Sequence, residues 1–350
     1  MCAPISYIDF VLFTIVICTT TIRYNFSKHN SYYYNWSKFI FILTMNPKNP
    51  EARNRSEKPF NGLKITSSEV LLNLDGRNPC PNCCKSRMYF CYTCYVPVLK
   101  LKGRIPSCNL PIKVDIIKHQ REIDGKSTAA HAAVLAPNDV KVFTYPEIPE
   151  YNNDERVVLL YPGTDACTVR ELYTGKTLSY SEHILAELPQ GYNIGTLMKK
   201  VFNSNNPNSE IYHVEKFPID RLVIIDSTWN QSKGIFADSR LQCIPKVVVQ
   251  NRVSQFWRHQ KGSPRWYLST IEALHQFLME LHICAWGCDE EYVTELTLNY
   301  PVHKKESHLQ CKPYNGQYDN LLFFFKFMYE KLHCLYRHED LLAYKRPMEV

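Results

Sequence analysis

Four cysteines of the sequence fall into two closely spaced pairs. Cys80-Pro-Asn-Cys83 and Cys91-Tyr-Thr-Cys94 are separated by seven residues. Two such turns, joined by a short hairpin, can place four thiolates tetrahedrally around one Zn²⁺ at about 2.3 Å each. We therefore predict a closed structural zinc site without a catalytic role. Cys84 lies outside both pairs, although a shifted register would let it replace Cys83.

Basic and aromatic residues surround these cysteines. They are Lys85, Arg87, Tyr89, Tyr92 and Tyr95. Such side chains can contact RNA by charge and by stacking. They can equally well fill out a small metal-binding module that has no core of its own, and the sequence leaves both interpretations open.

Two polar loops directly follow apolar runs of the sequence. Their residues are Pro162, Gly163, Asp165 and Ala166 after VVLLY, and Asp226, Thr228 and Trp229 after LVII. If both runs are strands of a parallel sheet, the loops lie at the carboxyl edge, where open α/β sheets bind their ligands. Asp226 is then a candidate active-site residue. The alternative is that its side chain only caps the helix that follows.

The clearest helix of the sequence begins near Ser269. Ser269 and Glu272 have the spacing of a capping box, and apolar residues at positions 271, 274, 278 and 281 follow at three- and four-residue intervals. This spacing predicts a helix over residues 269–281 that buries one face. The free backbone N–H groups at its start, at Ser269 and Thr270, and the nearby Arg265 are suited to hold a carboxylate or phosphate.

Four apolar runs predict the fold class. They lie at residues 114–117, 157–161, 222–225 and 246–250. Nearly continuous Val, Ile and Leu without polar alternation is typical of strands that are buried on both faces. The sequence therefore predicts an α/β fold with a mostly parallel sheet and helices on both faces. Residues 318–335 are apolar and aromatic enough to form a further helix.

Composition narrows the class of protein. The chain has 350 residues, 45% hydrophobic and 21% charged, which is ordinary globular usage and excludes global disorder. Its net charge of +7 is compatible with a nucleic-acid partner and does not require one. The fourteen cysteines favour metal over disulfides, because disulfide frameworks are typical of short secreted chains.

These observations suggest five segments along the chain. They are an extension outside the fold (1–45), a flexible polar arm (46–75), the zinc module (76–104), the α/β domain (105–300) and a C-terminal helical extension (301–350). The apolar run Phe10–Cys18 has nine residues, lacks preceding basic residues and falls short of the roughly 20 that span a bilayer. We expect residues 1–44 to be dispensable, with a membrane anchor as the alternative.

Several motifs together resemble the DTW domain family, named for an Asp-x-Thr-Trp motif. The resemblance covers the paired cysteines and four further stretches, in the expected order between about residues 76 and 285. These stretches are HQREIDGKST at 119–128, YPGTDA at 161–166, DSTWNQSK at 226–233 and WYLSTIEA at 266–273.

The resemblance implies a fold and a reaction. The family is similar to SPOUT RNA-modifying proteins, so a trefoil-knotted core is expected. The implied activity transfers the 3-amino-3-carboxypropyl group of S-adenosylmethionine to N3 of a D-loop uridine, position 20, in tRNA. The implied partners are tRNA and S-adenosylmethionine, with no membrane partner, and the implied location is the nucleus, with the cytoplasm as the alternative.

The resemblance also implies roles for particular residues. Catalysis falls to Asp226, Thr228 and Trp229; cofactor binding to Pro162, Gly163, Asp165, Ala166, Arg265, Ser269, Thr270 and Glu272; and RNA binding to His119, Arg121, Lys126 and Lys233. Because uridine N3 must lose its proton before it can act as a nucleophile, we expect Asp226 to be the base. Trp229 is expected to stack on a base or simply to pack.

Two other functions are compatible with the sequence. A SPOUT-type RNA methyltransferase would use the same cofactor and transfer a different carbon. A non-catalytic, zinc-containing RNA-binding protein would keep the cysteines and basic residues but would give the acidic strand-end loops no purpose.

Overall fold

The computed structural model describes residues 58–163, 165–174, 211–250, 252–260, 262–298, 300–302 and 312–347. The predictions for residues 1–45, and for the first part of the polar arm, lie outside these ranges. Within them, no helix has the length and apolar character needed to cross a membrane.

Ten short or medium strands and six α-helices are present in the described ranges. The strands are β1 Asn78–Pro79, β2 Ser86–Arg87, β3 Phe90–Cys91, β4 Val96–Pro97, β5 Lys113–Lys118, β6 Val140–Thr144, β7 Val157–Leu160, β8 Cys167–Thr168, β9 Arg221–Asp226 and β10 Lys246–Val248. The α-helices are α1 Glu69–Leu72, α2 Ala129–Leu135, α3 Trp229–Phe236, α4 Ser239–Gln242, α5 Thr270–Trp286 and α6 Phe323–His333. Single 3₁₀ turns lie at Leu99–Leu101, Glu171–Thr174, Asp319–Leu322, His338–Asp340 and Leu342–Lys345.

A six-stranded sheet forms the centre of the domain, in the order β6-β5-β9-β7-β10-β8. Every neighbouring pair in it is parallel. The carboxyl ends of its strands therefore meet at one edge, and the last residues of β5 and β9, Lys118 and Asp226, lie opposite each other. The predicted parallel sheet, with its polar loops at the carboxyl edge, is confirmed.

Helices cover both faces of this sheet, as predicted. Ile116 and Ile224 point into the larger core, which also contains buried residues of α2, α5 and α6. Their neighbours Ile117 and Val223 belong to a smaller core on the opposite face, together with Leu241 of α4. Since strand side chains alternate between faces, each central strand must be apolar throughout. The implied trefoil knot stays a prediction, because residues 175–210 lie outside the described ranges.

Strands β6 and β8 were not predicted. Strand β6 has the sequence VKVFT and lies at the sheet edge, where only its first residue is buried. Strand β8 has two residues. An alternating edge strand and a two-residue strand both lack the long apolar run on which the prediction depends.

Helix α5 begins as predicted but is buried far more completely. Ser269 is its N-cap, and the Glu272 carboxylate accepts hydrogen bonds from the Ser269 backbone N–H (2.9 Å) and hydroxyl (2.8 Å). The prediction of a single buried face is wrong, since almost every residue from Ile271 to Ala285 is buried. The C-terminal segment covers the face expected to be exposed, and the polar side chains there are bonded internally, as His275 is to Asp319 (2.9 Å).

Two segment boundaries are corrected by the packing. Residues 58–75 are not a flexible arm: Leu71 is buried in the core, and the backbone N–H of Lys64 donates to Asp319 (2.7 Å). Helix α6 was placed in an extension, yet its three phenylalanines at 323–325 are buried in the same core as α2 and α5. The sequence does not show these contacts because they join distant residues: Lys64 to Asp319 and Phe90 to Phe324 are each more than 200 residues apart along the chain.

The buried Glu280 of α5 should make stability depend on pH. Burial raises the pKa of this carboxyl from 4.5 to about 7, although Gln276 and the backbone N–H of Gln250 donate to it (2.8 Å each). The free energy of unfolding is therefore highest, as far as Glu280 is concerned, below about pH 4.5, and it falls as the pH rises to about 7. We expect Glu280→Gln to remove about 3 kcal/mol of this pH-dependent loss. Denaturant unfolding of both proteins at pH 4.5 and 7.5 measures it; an equal pH dependence in the two would contradict the assignment.

Candidate active site and zinc site

A cleft lies at the carboxyl edge of the sheet, where the two polar loops were expected. Its walls come from the ends of β7, β9 and β10, the start of α5 and the segment 122–128. The cavity volume is about 190 Å³, many times the roughly 10–15 Å³ that one water molecule needs. The cleft can therefore admit a small organic ligand.

Asp226 forms part of the cleft wall and is held by two hydroxyl groups. Ser127 Oγ donates to its Oδ2 (2.6 Å), and Thr270 Oγ1 donates to its Oδ1. The residue is 5% exposed, and burial raises the pKa of its carboxyl, while Ser127, Thr270 and Lys118 act in the opposite direction. A carboxylate with a raised pKa is a better base than an ordinary one.

The helix-cap alternative for Asp226 is not supported. Thr228, not Asp226, is the N-cap of α3, and Gln231 Oε1 accepts hydrogen bonds from the Thr228 backbone N–H (3.1 Å) and hydroxyl (2.9 Å). Thr228 therefore orients the helix that carries Trp229. The Trp229 ring lies 4.2 Å from that of Tyr267, and both residues line the cleft.

The polar loop after β7 contributes fewer residues to the cleft wall than expected. Pro162 lines the cleft, but Gly163, Asp165 and Ala166 are not part of its wall. The Asp165 carboxylate forms an ion pair with Lys246 (2.6 Å), and Ala166 is buried. These three residues therefore lie outside the cleft wall and do not line the cavity themselves.

The start of α5 is only partly available to a ligand. Ser269 and Thr270 line the cleft, but the backbone N–H of Ser269 is bound by Glu272 and that of Ile271 donates to Thr128 Oγ1 (3.2 Å). The anion site predicted at the start of α5 stays a prediction, with two of the nearby backbone N–H groups already bonded within the protein.

Glu272 and Arg265 also lie outside the cleft wall. The Glu272 carboxylate is 1% exposed and also binds Ser254 Oγ (2.8 Å) and the Gln255 backbone N–H (2.7 Å). The Arg265 guanidinium lies over the Tyr344 ring, 5.3 Å from its centroid. Both residues shape the loop before α5 and do not face the cavity.

Of the four predicted RNA-binding residues, Lys126 alone lines the cleft, and it is the single basic residue of the described cleft wall. His119 donates its backbone N–H to the Asp226 carbonyl (3.0 Å), so it helps to position that residue. Arg121 and Lys233 are exposed away from the cavity.

Sequence reasoning missed several residues of the cleft. They are Glu122, Ser127, Thr128, Tyr161, Gln250 and Tyr267. Ser127 and Thr128 directly precede α2, and a Ser-Thr pair before an alanine-rich segment was a usable signal for a helix start. Burial and the nearby Asp226 raise the pKa of Glu122, so the cleft holds two carboxyl groups of increased basicity.

The four predicted zinc ligands come together at the other site. The Sγ atoms of Cys80, Cys83, Cys91 and Cys94 all lie within 4.8 Å of one another, and Cys83 Sγ is 3.7 Å from Cys91 Sγ. A tetrahedral site with Zn–S bonds of about 2.3 Å requires S–S distances near 3.8 Å. The cluster can hold zinc, and exposed Cys84 lies outside it.

Backbone geometry repeats at the two cysteine pairs. Cys84 and Tyr95 both have positive φ, 58° and 55°, and their N–H groups donate to the Cys80 and Cys91 carbonyls (3.0 and 2.8 Å). This tight turn brings each pair of thiols together. Burial opposes ionisation of Cys91, but hydrogen bonds from Arg87 Nε (3.4 Å) and backbone N–H groups lower its pKa to about 6. The thiolate form that a metal requires is therefore favoured at Cys91.

The fold and the two sites define a parallel α/β protein with a ligand cleft at the sheet edge and an attached Cys₄ module. The sequence model of the DTW domain matches residues 88–333. The chain belongs to the DTW domain family.

Curated relatives match over most of the chain. "tRNA-uridine aminocarboxypropyltransferase 1" of Xenopus laevis is 40% identical over 276 residues, 76% of this chain and 84% of that protein. The proteins of the same name from Mus musculus and Homo sapiens are 39% and 37% identical, cover 78% and 79% of this chain, and are each covered over 84% of their length. No solved structure matches significantly.

Proposed function

We propose that this protein is a tRNA-uridine aminocarboxypropyltransferase that uses S-adenosylmethionine. The relatives that carry this name match across about four fifths of the chain. The structural observation that supports it is the buried Asp226 carboxylate, held by two hydroxyl groups in the wall of a cleft.

The reaction forms an N–C bond, breaks a C–S bond and transfers one proton. Uridine N3 loses its proton to a base, and its electron pair attacks the side-chain methylene carbon that is bonded to the sulfonium. The C–S bond breaks, the sulfur keeps the electron pair, and neutral methylthioadenosine leaves. S-adenosylmethionine supplies the activated carbon and the leaving group, so the protein must position both partners and accept one proton.

The cleft fits such a ligand chemically. Leu160 and Val247 provide an apolar wall, and the Trp229–Tyr267 pair provides ring surfaces for a purine or a cation. The carboxylates of Asp226 and Glu122 suit a positive sulfonium. Lys126 suits the carboxylate of the transferred group, because it is the one cation of the described wall.

Asp226 is positioned to accept the proton, directly or through Ser127. The Ser127 hydroxyl donates to Asp226 and accepts from the backbone N–H of Ala129 (3.1 Å), which fixes its orientation. A substrate N–H that reaches Ser127 Oγ can therefore pass its proton to the carboxylate in one concerted shift. Burial raises the pKa of the Asp226 carboxyl, which strengthens it as a base.

The same proposal extends to the zinc site and the location. We assign zinc as the occupant of the Cys₄ cluster, because four thiolates at tetrahedral spacing select it. We place the protein in the nucleus, as the resemblance to the DTW domain family implies; imaging of the full chain in cells tests this, and exclusion from the nucleus would contradict it.

The co-product distinguishes the proposal from methyl transfer. Aminocarboxypropyl transfer releases methylthioadenosine, whereas methyl transfer releases S-adenosylhomocysteine. Chromatography of a reaction with tRNA should show methylthioadenosine in proportion to the amount of modified uridine formed. S-adenosylhomocysteine as the main product would support the methyltransferase alternative, and no co-product with any tRNA would support the non-catalytic one.

Lys126→Gln is expected to raise the Kd for S-adenosylmethionine about tenfold, the effect of losing one charge-assisted contact worth ~1.4 kcal/mol. Lys102→Gln, at an exposed lysine outside the cleft, is the matched control and should behave as the wild type. Calorimetric titration with the cofactor measures the change. An unaltered cofactor affinity in Lys126→Gln would remove Lys126 from the carboxylate site.

A further inference from the structure

A second cavity, of about 210 Å³, lies between the zinc module and the α/β domain. It adjoins the cleft, because Lys126, Ser127, Thr128 and Phe256 line both spaces. Ser127, the proposed partner of Asp226 in proton transfer, therefore stands at the boundary between the two cavities.

The zinc module supplies one wall of this cavity. Met88 and Tyr89 come from the segment between the two cysteine pairs, and Tyr92 lies within the second pair. The module is firmly attached to the domain, since the Phe90 ring lies 4.6 Å from that of Phe324. The Arg87 guanidinium stacks 3.8 Å from the Tyr92 ring centroid and fixes the orientation of that wall.

The opposite wall combines aromatic and cationic groups. Trp257 and Arg258 line it, and Arg77 lies at the module side. Arg258 Nε has no hydrogen-bond partner among the described residues. The negative charge of Asp124, which also lines the cavity, is paired with Lys118.

A buried polar group at the cavity has no partner. His131 lines the space and is 3% exposed, and its Nδ1 atom makes no hydrogen bond within the described part of the chain. A buried, unpaired polar atom costs roughly 1–3 kcal/mol, which a ligand that bonds to it would recover. Burial lowers the pKa of the His131 ring to about 3, so the ring is neutral and can either donate or accept.

We propose that this second cavity binds an unpaired nucleobase of the RNA substrate, with the zinc module as one wall. The proposal rests on the proposed function. A nucleobase is planar, offers ring faces for Tyr92 and Trp257, and carries edge groups that His131 can bond. Its phosphates would lie near Arg77 and Arg258. An unpaired base held there lies beside the boundary residue Ser127, where the target uridine must react.

Filling the cavity tests this assignment. Met88→Trp places a bulky ring in the space from a half-exposed position, whereas Met88→Leu keeps the size and is the matched control. With the full-length protein and an unmodified tRNA transcript, we expect Met88→Trp to weaken tRNA binding at least tenfold, with cofactor affinity, zinc content and melting temperature unchanged. Met88→Leu should match the wild type in all four.

Crosslinking provides an independent readout that does not depend on catalysis. A transcript with 4-thiouridine in its loops should crosslink to the segment 88–92 or to 257–258 of the wild type. Normal tRNA affinity in Met88→Trp, or crosslinks confined to other segments, would overturn the inference. Failure of the proposed function is distinct: the wild type would then bind and crosslink to the transcript without modifying it.

Discussion

Asp226→Asn is expected to lower single-turnover transfer by about 10²–10⁴, the usual contribution of a general base. Asparagine keeps the shape of the side chain and can still bond to Ser127 and Thr270, but it cannot take up a proton. Binding of S-adenosylmethionine and tRNA should therefore change little. Wild-type activity should fall as the pH falls through the pKa of Asp226, which burial raises above the ordinary value. This pH dependence should be absent from the residual activity of the variant.

The control for this experiment is Asp220→Asn. Asp220 lies just before the opposite end of β9 and pairs with Arg156 at the surface (2.8 Å), outside the cleft. The Asp220→Asn variant should retain wild-type turnover. Full activity of Asp226→Asn would exclude Asp226 as the base, and a loss confined to cofactor affinity would make it a binding residue instead.

Cys91→Ser is expected to abolish stoichiometric zinc binding. Cys91 is fully buried, and the free energy of binding a structural metal is also folding free energy, so the cysteine hairpins should lose their structure with the metal. A loss of ~3 kcal/mol in the free energy of unfolding would lower the melting temperature by roughly 10 °C in a domain of this size. Metal analysis of the purified protein together with thermal unfolding measures both effects.

Cys84→Ser is the matched control for the zinc site. Cys84 neighbours Cys83 but is exposed and lies outside the cluster. Its replacement should leave the zinc content at one per chain. Zinc loss equal to that of Cys91→Ser would show that the shifted register holds the metal, and wild-type protein with no zinc would refute the site altogether.

The sequence predicted those features that depend on neighbouring residues. The cysteine pairs, the capping box of Ser269 and Glu272, and the four apolar strands are all local patterns, and each lies where it was expected. The position of Asp226 at the carboxyl edge followed from the parallel order of those strands.

The surroundings of Asp226 could not be predicted in the same way. Ser127 and Thr270 reach its carboxylate from positions 99 and 44 residues away along the chain. Neither hydroxyl has a local pattern that distinguishes it from an ordinary helix-start residue. Polar contacts that assemble only when the sheet and α5 pack together are a property of the tertiary structure.

The burial of α5 has a similar explanation. An isolated helix with an apolar stripe is expected to expose its polar face. In this fold, Asp319 of the C-terminal segment accepts hydrogen bonds from His275 of α5 (2.9 Å), Tyr292 (2.6 Å) and Tyr314 (2.9 Å), so this segment covers the polar face of the helix. The sequence alone does not show which distant residues will supply such partners.

Mass spectrometry of tRNA nucleosides tests the central claim most directly. The full-length protein is incubated with S-adenosylmethionine and unmodified tRNA, and the tRNA is then digested to nucleosides. We expect a uridine that carries one aminocarboxypropyl group, formed by the wild type and Asp220→Asn and almost absent with Asp226→Asn. A methylated nucleoside, or unmodified tRNA from protein that binds both substrates, would contradict the assignment of this cleft as an aminocarboxypropyl transfer site.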